Sequence, residues 1–286
     1  MKIILLFLIP FCAFAKLNIL TTTTDLKSLV QTIAGDKVDV DSICKGTQDP
    51  HYLEAKPSYS LKANRADLMI SIGLDLEIGW LPLIIAGARN PEIVSHHLVA
   101  GNYVDTLEKP TGAVSRSMGD VHPLGNPHIL LDPLNAVKVA EKIRDKLTEM
   151  DRDNEAFYAK NYTDFSNLIK EKMKVWEKHP GKKVVTYHPT LSYFFKRFNI
   201  TNVAILEPKP GIPPSAGHIL EVMKTAREKN VQLALVENFF DVSVADRVAK
   251  DVPGMKVKSV AVSVEGADGV NSLVDLYDYL IKEIYE

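Results

Sequence analysis

Strand-like and helix-like segments alternate on both sides of one long helical stretch, and this pattern constrains the fold more than any other feature of the chain. Residues 153–178 contain no Pro or Gly, and apolar side chains recur there at helical spacing from Tyr158 to Trp176. A helix of that length extends about 39 Å at 1.5 Å per residue. This length favours a connector between two domains over a simple crossover helix.

The two halves flanking this stretch have the same order of elements. The sequence predicts strands at 17–20, 38–43, 67–72, 184–187, 202–206, 231–236 and 255–262. It predicts helices at 26–34, 57–65, 76–88, 190–198, 215–229, 242–250 and 270–285, with Asp25 expected to cap the first. Alternation at this spacing predicts parallel sheets flanked by helices. We therefore expect an α/β fold with a first domain at 16–132, linking helices at 133–181 and a second domain at 182–286.

Residues 1–15 have the order of a secretory signal. Lys2 precedes an apolar run, and Ala13-Phe14-Ala15 matches an A-x-A cleavage site. Phe11, in place of a small residue before Cys12, argues against a lipoprotein cleavage site. The sequence thus predicts cleavage after Ala15 and a soluble, periplasmic, monomeric mature protein.

Composition and cysteine content exclude two classes of function. The chain has 34 Lys+Arg against 36 Asp+Glu, a net charge of -2. A chain with this charge balance lacks the excess of Lys and Arg that nucleic-acid binding requires, so no nucleic-acid partner is expected. Cleavage would leave Cys44 as the one cysteine, which permits no internal disulfide and nearly excludes a Cys/His zinc site.

Three histidines adjoin prolines in predicted loops. They are His51, His128 and His188, and His188 follows a predicted strand, where open α/β sheets gather their ligands. Neutral imidazoles converging from separate loops would bind a Zn(II)-type ion. The chain has no HExxH or H-x-x-x-H motif, so spacing alone leaves solvated loop histidines as the alternative.

The motifs around these histidines resemble one protein family. They are Asp49-Pro50-His51 with Pro57-Ser58, Leu76-Glu77-Ile78-Gly79-Trp80, Asn126-Pro127-His128 with Leu131-Asp132-Pro133, and Tyr187-His188 before Tyr193-Phe194. They are similar to the cluster A-I solute-binding proteins of bacterial metal ABC importers, the group typified by ZnuA and TroA. The resemblance covers essentially the whole mature chain.

This resemblance implies a metal in a cleft between two (β/α) domains that a rigid helix connects. It implies ligation by His51, His128 and His188. The family's fourth ligand follows the last strand, but residues 259–264 contain no carboxylate. Glu237 is then a possible fourth ligand or a supporting group, water is the next candidate, and Glu265 and Asp268 stay open.

The resulting hypothesis is a periplasmic receptor that delivers a divalent transition metal to an inner-membrane permease driven by an ATPase. Three nitrogen donors favour Zn2+, while Mn2+, which prefers more carboxylate oxygen, stays possible. The alternatives are a manganese- or iron-binding receptor of the same type, an adhesion module, and a zinc-dependent hydrolase with Glu237 as base. No nucleophile motif accompanies Glu237, so we expect a protein that is not an enzyme.

The other histidines are interpreted more simply. His122 either assists at the mouth of the cleft or is solvated. His96 and His97 are expected at the surface or in a cap, His179 in solvent, and His218 in a structural role at a helix start.

Overall fold

The structure, a computed structural model, describes residues 16–112, 115, 118–119 and 121–286. The predicted signal segment and its cleavage site therefore lie outside the described residues.

Each half of the described chain contains a four-stranded parallel sheet. The strands are β1 (Leu17–Thr21), β2 (Val38–Ser42), β3 (Leu68–Ser71), β4 (His97–Val99), β5 (Lys183–Thr186), β6 (Thr201–Ile205), β7 (Leu233–Glu237) and β8 (Lys256–Val260). The first sheet has the order β2-β1-β3-β4 and the second the order β6-β5-β7-β8. In both sheets the chain crosses over the first strand to reach the third, so the two halves share one topology.

Helices cover these sheets and link them. They are α1 (Thr24–Ala34), α2 (Pro57–Asn64), α3 (Leu81–Ala88), α4 (Glu92–Ser95), α5 (Pro133–Met150), α6 (Glu155–Trp176), α7 (Ser192–Arg197), α8 (Ala216–Glu228), α9 (Ser243–Asp251) and α10 (Leu273–Tyr285). Two parallel α/β domains are therefore confirmed, with α5 and α6 between them in the chain. None of the helices described here is both long and apolar enough to span a bilayer.

Local differences from the predicted elements have simple causes. Strand β4 was missed because it has only three residues. Helix α3 begins at Leu81 rather than at residue 76, and Pro82 occupies its first turn, where its missing N–H costs nothing. His97 lies half-buried in β4, the edge strand of the first sheet, with its Nε2 2.8 Å from the Ser71 hydroxyl.

The long helix α6 contacts helices near both ends of the chain. Its buried stripe consists of Tyr158, Phe165, Ile169, Met173 and Trp176, which match the predicted apolar positions. The stripe packs against α1 of the first domain. Trp176 reaches α10, where its indole N–H donates to Asp278 at 2.8 Å. Helix α6 therefore contacts elements from the beginning and the end of the chain, as a connector must.

The start of α1 meets the loop after β8. Thr23 caps the helix, whereas Asp25 accepts a hydrogen bond from the Val264 N–H at 2.8 Å instead of capping. The Thr24 hydroxyl donates to the Val264 carbonyl at 2.6 Å. Burial raises the pKa of Asp25 to about 6, although the hydrogen bonds from Val264 and the Ser263 side chain oppose the shift. The two domains are therefore joined here through a buried carboxyl.

Ile169→Ala tests the contribution of the buried stripe. Ile169 is fully buried, so its truncation should cost about 2–5 kcal/mol of unfolding free energy through lost burial and a cavity. Leu168→Ala, one residue earlier on the same helix and 45% exposed, should change stability by about 0.5 kcal/mol or less. Urea unfolding of both variants measures the difference. Equal losses would contradict the assigned orientation of α6.

Asp25→Asn tests the buried carboxyl through the pH dependence of stability. Between about pH 4 and 6 the folded protein keeps a proton on Asp25 that the unfolded chain releases, so wild-type stability falls as pH rises through this window. Asn carries no charge and loses this dependence. The stability of the variant relative to wild type should rise by up to about 3 kcal/mol between pH 4 and 6, at 1.36 kcal/mol per pKa unit, and then stay level.

Urea unfolding at pH 4, 5, 6 and 7 measures this difference. Asp36→Asn, which removes one exposed carboxylate, is the control for the change in net charge. Parallel wild-type and D25N profiles across the window would contradict a raised pKa at Asp25.

Candidate metal centre

The loop after β2 places His51 with its Nε2 facing the cleft. Asp49 Oδ1 lies 2.7 Å from His51 Nδ1 and also accepts the His51 backbone N–H at 2.9 Å. The Trp80 indole N–H donates to the Pro50 carbonyl at 2.9 Å and so anchors the loop that carries His51. A carboxylate on Nδ1 assigns the proton to that nitrogen and leaves Nε2 with its lone pair.

The loop before α5 places His128. The Asn126 side chain accepts the His128 backbone N–H at 2.9 Å and donates to the Pro189 carbonyl at 2.9 Å, so it ties this loop to the one that carries His188. The Tyr193 hydroxyl donates to the Asn126 carbonyl at 2.8 Å. Burial, together with the neighbouring histidines, holds the pKa of His128 well below its ordinary value. His128 is therefore neutral near neutral pH, which is the state that binds metals.

His188 follows β5, at the carboxyl end of a central parallel strand. Its Nδ1 lies 2.6 Å from Glu207 Oε2, and both side chains are buried. Glu207 follows β6, at the carboxyl end of the adjacent strand. The two parallel strands therefore deliver the imidazole and its carboxylate to the same edge of the sheet.

The three imidazoles lie around one point. Their ring centroids are 5.2 Å apart for His51 and His128, 5.4 Å for His51 and His188, and 5.8 Å for His128 and His188. One potential ligand atom from each lies within 4.8 Å of the other two. Around tetrahedral zinc, with Zn–N bonds of 2.0–2.1 Å, two nitrogens are about 3.4 Å apart. Small movements of the three rings would therefore bring their nitrogens to zinc-binding distances.

Two of the facing nitrogens are buried without a hydrogen-bond partner, namely Nε2 of His51 and Nε2 of His128. A buried lone pair that finds no donor costs free energy unless something else binds it. A cation at the centre of the three rings satisfies both atoms. The donor set therefore fits a divalent metal with nitrogen ligands.

The carboxylates that the sequence offered for a fourth position lie elsewhere. Glu237 ends β7 and is fully buried, with no hydrogen bond to either carboxylate oxygen, and burial raises its pKa to about 8. Glu265 lies 2.8 Å from Lys27. Within the described part of the chain, the cluster of mutually close donors contains the three histidines and none of Glu237, Glu265 and Asp268.

His122 lies beside this cluster. Its ring centroid is 5.2 Å from that of His51. Together with His128, His188 and Pro210 it lines a cavity of about 170 Å³. The segment 121–127 therefore brings a fourth imidazole beside the three histidines.

Glu207 is the residue that the sequence reasoning missed. The signal for it was a carboxylate directly after a predicted strand, at the edge where ligands gather. The remaining histidines have structural contacts: His218 Nε2 lies 2.8 Å from the Ile205 carbonyl, and His179 stacks on Tyr285.

Comparison with known proteins shows which family the chain belongs to. The family profile described as "ZnuA: Zinc-uptake complex component A periplasmic" matches residues 19–286, which is nearly the whole chain. The chain belongs to this family. Members of the ZnuA family are solute-binding receptors of metal ABC transporters, so this protein is a receptor and not an enzyme.

One of the relatives is named for manganese and another for an unspecified metal. The manganese ABC transporter substrate-binding lipoprotein PsaA of Streptococcus mitis is 31% identical over 250 residues, covering 83% of this chain and 76% of that protein. The metal ABC transporter substrate-binding lipoprotein ScbA of Streptococcus cristatus is 28% identical over 285 residues, covering 95% and 89%. A crystal structure of ZnuA has a TM-score of 0.78 at 23% identity, covering 94% and 98%, and so shares the fold.

Proposed function

We propose that this ZnuA-family receptor binds one Zn2+ through His51, His128 and His188 and hands it to the permease of an ABC importer. The observation that supports the proposal best is the pair of buried, unpartnered Nε2 atoms of His51 and His128, which face His188 across a space of metal-site size. Divalent-metal binding follows from the family. The choice of zinc and of these ligands is our proposal.

The chemistry of the donors supports zinc over manganese. Imidazole nitrogens suit Zn2+, whereas Mn2+ prefers carboxylate, carbonyl and water oxygens. The relative PsaA of Streptococcus mitis is named for manganese. In our proposal this chain differs in preference because the mutually close donors of its described residues are all nitrogens.

We propose water for the fourth coordination position. Glu237, at the end of β7 beside β5, then stays outside the set of metal ligands. An open fourth position is acceptable for an ion that has to leave again, since every additional protein ligand would slow its release. His122 is the imidazole beside the three proposed ligands, with its ring centroid 5.2 Å from that of His51.

We further propose that the chain is exported and acts outside the inner membrane, where the permease and its cytoplasmic ATPase receive the metal. This follows from the signal-like order of residues 1–15 and from the family to which the chain belongs. The predicted linking helices at 133–181 would act as a stiff connector, so that small shifts of loops and domains open the site.

Titration of the metal-free mature protein tests the ligands and the metal. We expect one tight equivalent of Zn2+ and much weaker Mn2+ binding under chelator competition. His51→Ala, His128→Ala and His188→Ala should each weaken Zn2+ binding by more than about 100-fold, the upper end of what loss of an outer supporting group costs. His179→Ala, the same substitution at a histidine that stacks on Tyr285, is the matched control.

The same titration distinguishes the candidates for the fourth position. His122→Ala and Glu237→Gln should leave Zn2+ affinity within about 10-fold of wild type, less than the loss of a ligand costs. A loss as large as that of His51→Ala would instead assign the fourth ligand to the altered residue. Tighter Mn2+ than Zn2+ binding, or indifference to all three ligand substitutions, would overturn the proposal.

Export predicts a defined N-terminus. Protein recovered from the periplasm of an expressing Gram-negative host should begin at Lys16, as measured by intact mass and N-terminal sequencing. A chain without residues 2–15, in which the initiator Met directly precedes Lys16, should stay in the cytoplasm. Recovery of a lipid-modified chain beginning at Cys12 would contradict the predicted cleavage.

A further inference from the structure

Both carboxylate oxygens of Glu207 are used, and they hold two different parts of the site. Oε2 lies 2.6 Å from Nδ1 of His188, and Oε1 accepts the backbone N–H of Gly211 at 3.0 Å. Glu207 is 6% exposed, so these contacts are shielded from competing water. One buried side chain therefore links a proposed metal ligand to the segment that follows β6.

That segment forms a turn over the cleft, which we name the roof turn, residues 208–212. The Ile212 N–H donates to the Lys209 carbonyl at 2.9 Å and closes the turn. Gly211 has a φ of +76°, which favours glycine. Pro210 lines the cavity beside His122, His128 and His188. The roof turn therefore forms part of the wall of the cavity beside the three histidines.

The roof turn belongs to the second half of the chain but touches the first half at two points. A Cβ placed on Gly211 would lie 2.2 Å from the Tyr52 hydroxyl oxygen, and Tyr52 follows His51 directly. A Cβ on Gly119 would lie 2.4 Å from the Pro210 carbonyl oxygen. The turn therefore packs against the segments that carry His51 and His122.

We infer that Glu207 is a positioning residue that couples metal binding at His188 to closure of the roof turn. A cation on Nε2 polarises the Nδ1–H of His188 and strengthens its hydrogen bond to the carboxylate. A carboxylate held more firmly in place holds the Gly211 N–H, and with it the turn against Tyr52. This inference rests on the proposed metal site and adds a route for its control.

The coupling acts in both directions. If bound metal stabilises the closed turn, then closing the turn raises metal affinity by the same factor, and displacing the turn lowers it. A receptor that binds tightly in solution and still releases its ion needs such a control. A partner that lifts the roof turn would weaken the site without touching a ligand.

Asp49 offers a natural comparison, because it supports His51 without reaching the roof turn. Its Oδ1 accepts both Nδ1–H and the backbone N–H of His51 itself. Asp49→Asn and Glu207→Gln thus remove the same kind of charge from the same kind of imidazole. A carboxamide has one acceptor oxygen, so the side chain introduced by Glu207→Gln cannot hold His188 and Gly211 through two separate oxygens as Glu207 does.

The first experiment measures Zn2+ affinity and hydrogen exchange of peptides spanning 208–214, with and without saturating Zn2+. In the wild type, Zn2+ should slow exchange of the Gly211 region by at least about 10-fold. Both variants should bind Zn2+ about 10–100-fold more weakly. At saturation, D49N should keep the zinc-dependent protection of the roof turn, and E207Q should lose it.

The second experiment displaces the roof turn itself. Gly211→Ala adds a Cβ that Tyr52 must move to accommodate, so Zn2+ should leave at least about 5-fold faster, measured by transfer to a chelator. Gly254→Ala is the matched control, because Gly254 has a similar φ of +78° but nothing within 4 Å of its added Cβ.

Three outcomes would overturn the coupling: a wild-type roof turn that is indifferent to Zn2+, an E207Q protein that keeps the zinc-dependent protection, or equal release rates from G211A and G254A. A wild-type protein that binds no Zn2+ would overturn the proposed function itself, and this inference with it.

Discussion

Buried imidazole nitrogens without partners are the constraint around which the site is built. A folded protein rarely tolerates such atoms, because removing a polar group from water without a hydrogen bond costs free energy. Here Nε2 of His51 and Nε2 of His128 remain in that state, although the backbone N–H groups of both residues are hydrogen-bonded. The packing of both domains keeps these lone pairs directed at one point, which preorganises the site for a cation.

The two carboxylates behind the rings determine what kind of cation fits. Asp49 and Glu207 each bind an Nδ1, so the metal meets nitrogen while the negative charge lies one ring away. This arrangement supplies charge compensation without offering hard oxygen ligands, and our proposal of zinc rests on that donor chemistry. Two of the relatives are named for manganese.

Sequence patterns were sufficient to predict much of this structure, because the relevant signals are local. The apolar period from Tyr158 to Trp176 defines α6, and strand–helix alternation defines two parallel sheets. His188 was placed correctly because a residue after a parallel strand must lie at the ligand-binding edge. The convergence of the three histidines came from family motifs, since spacing alone left solvated loop residues as an alternative.

What sequence reasoning missed depends on contacts between distant segments. Asp25 has the local signature of a helix cap, yet it accepts a hydrogen bond from Val264, 239 residues away. Glu207 precedes a proline-rich loop, and its pairing with His188 becomes apparent only when β5 and β6 are placed side by side. Such pairings depend on the register between strands and on how the domains meet, and neither can be predicted from a short stretch of sequence.

The interdomain contacts fall into two groups with different mechanical roles. The buried contact of Asp25 with Val264 and the part-buried contact of Trp176 with Asp278 resist domain separation. The roof turn meets the first half of the chain beside Tyr52, which is 61% exposed. Regions with few buried contacts open at the lowest free-energy cost. The inferred coupling therefore places release at the roof turn, with the two domains still joined, rather than at a wide separation of the halves. In that inference the metal leaves when this short turn moves, and Glu207 is the group through which the movement reaches His188.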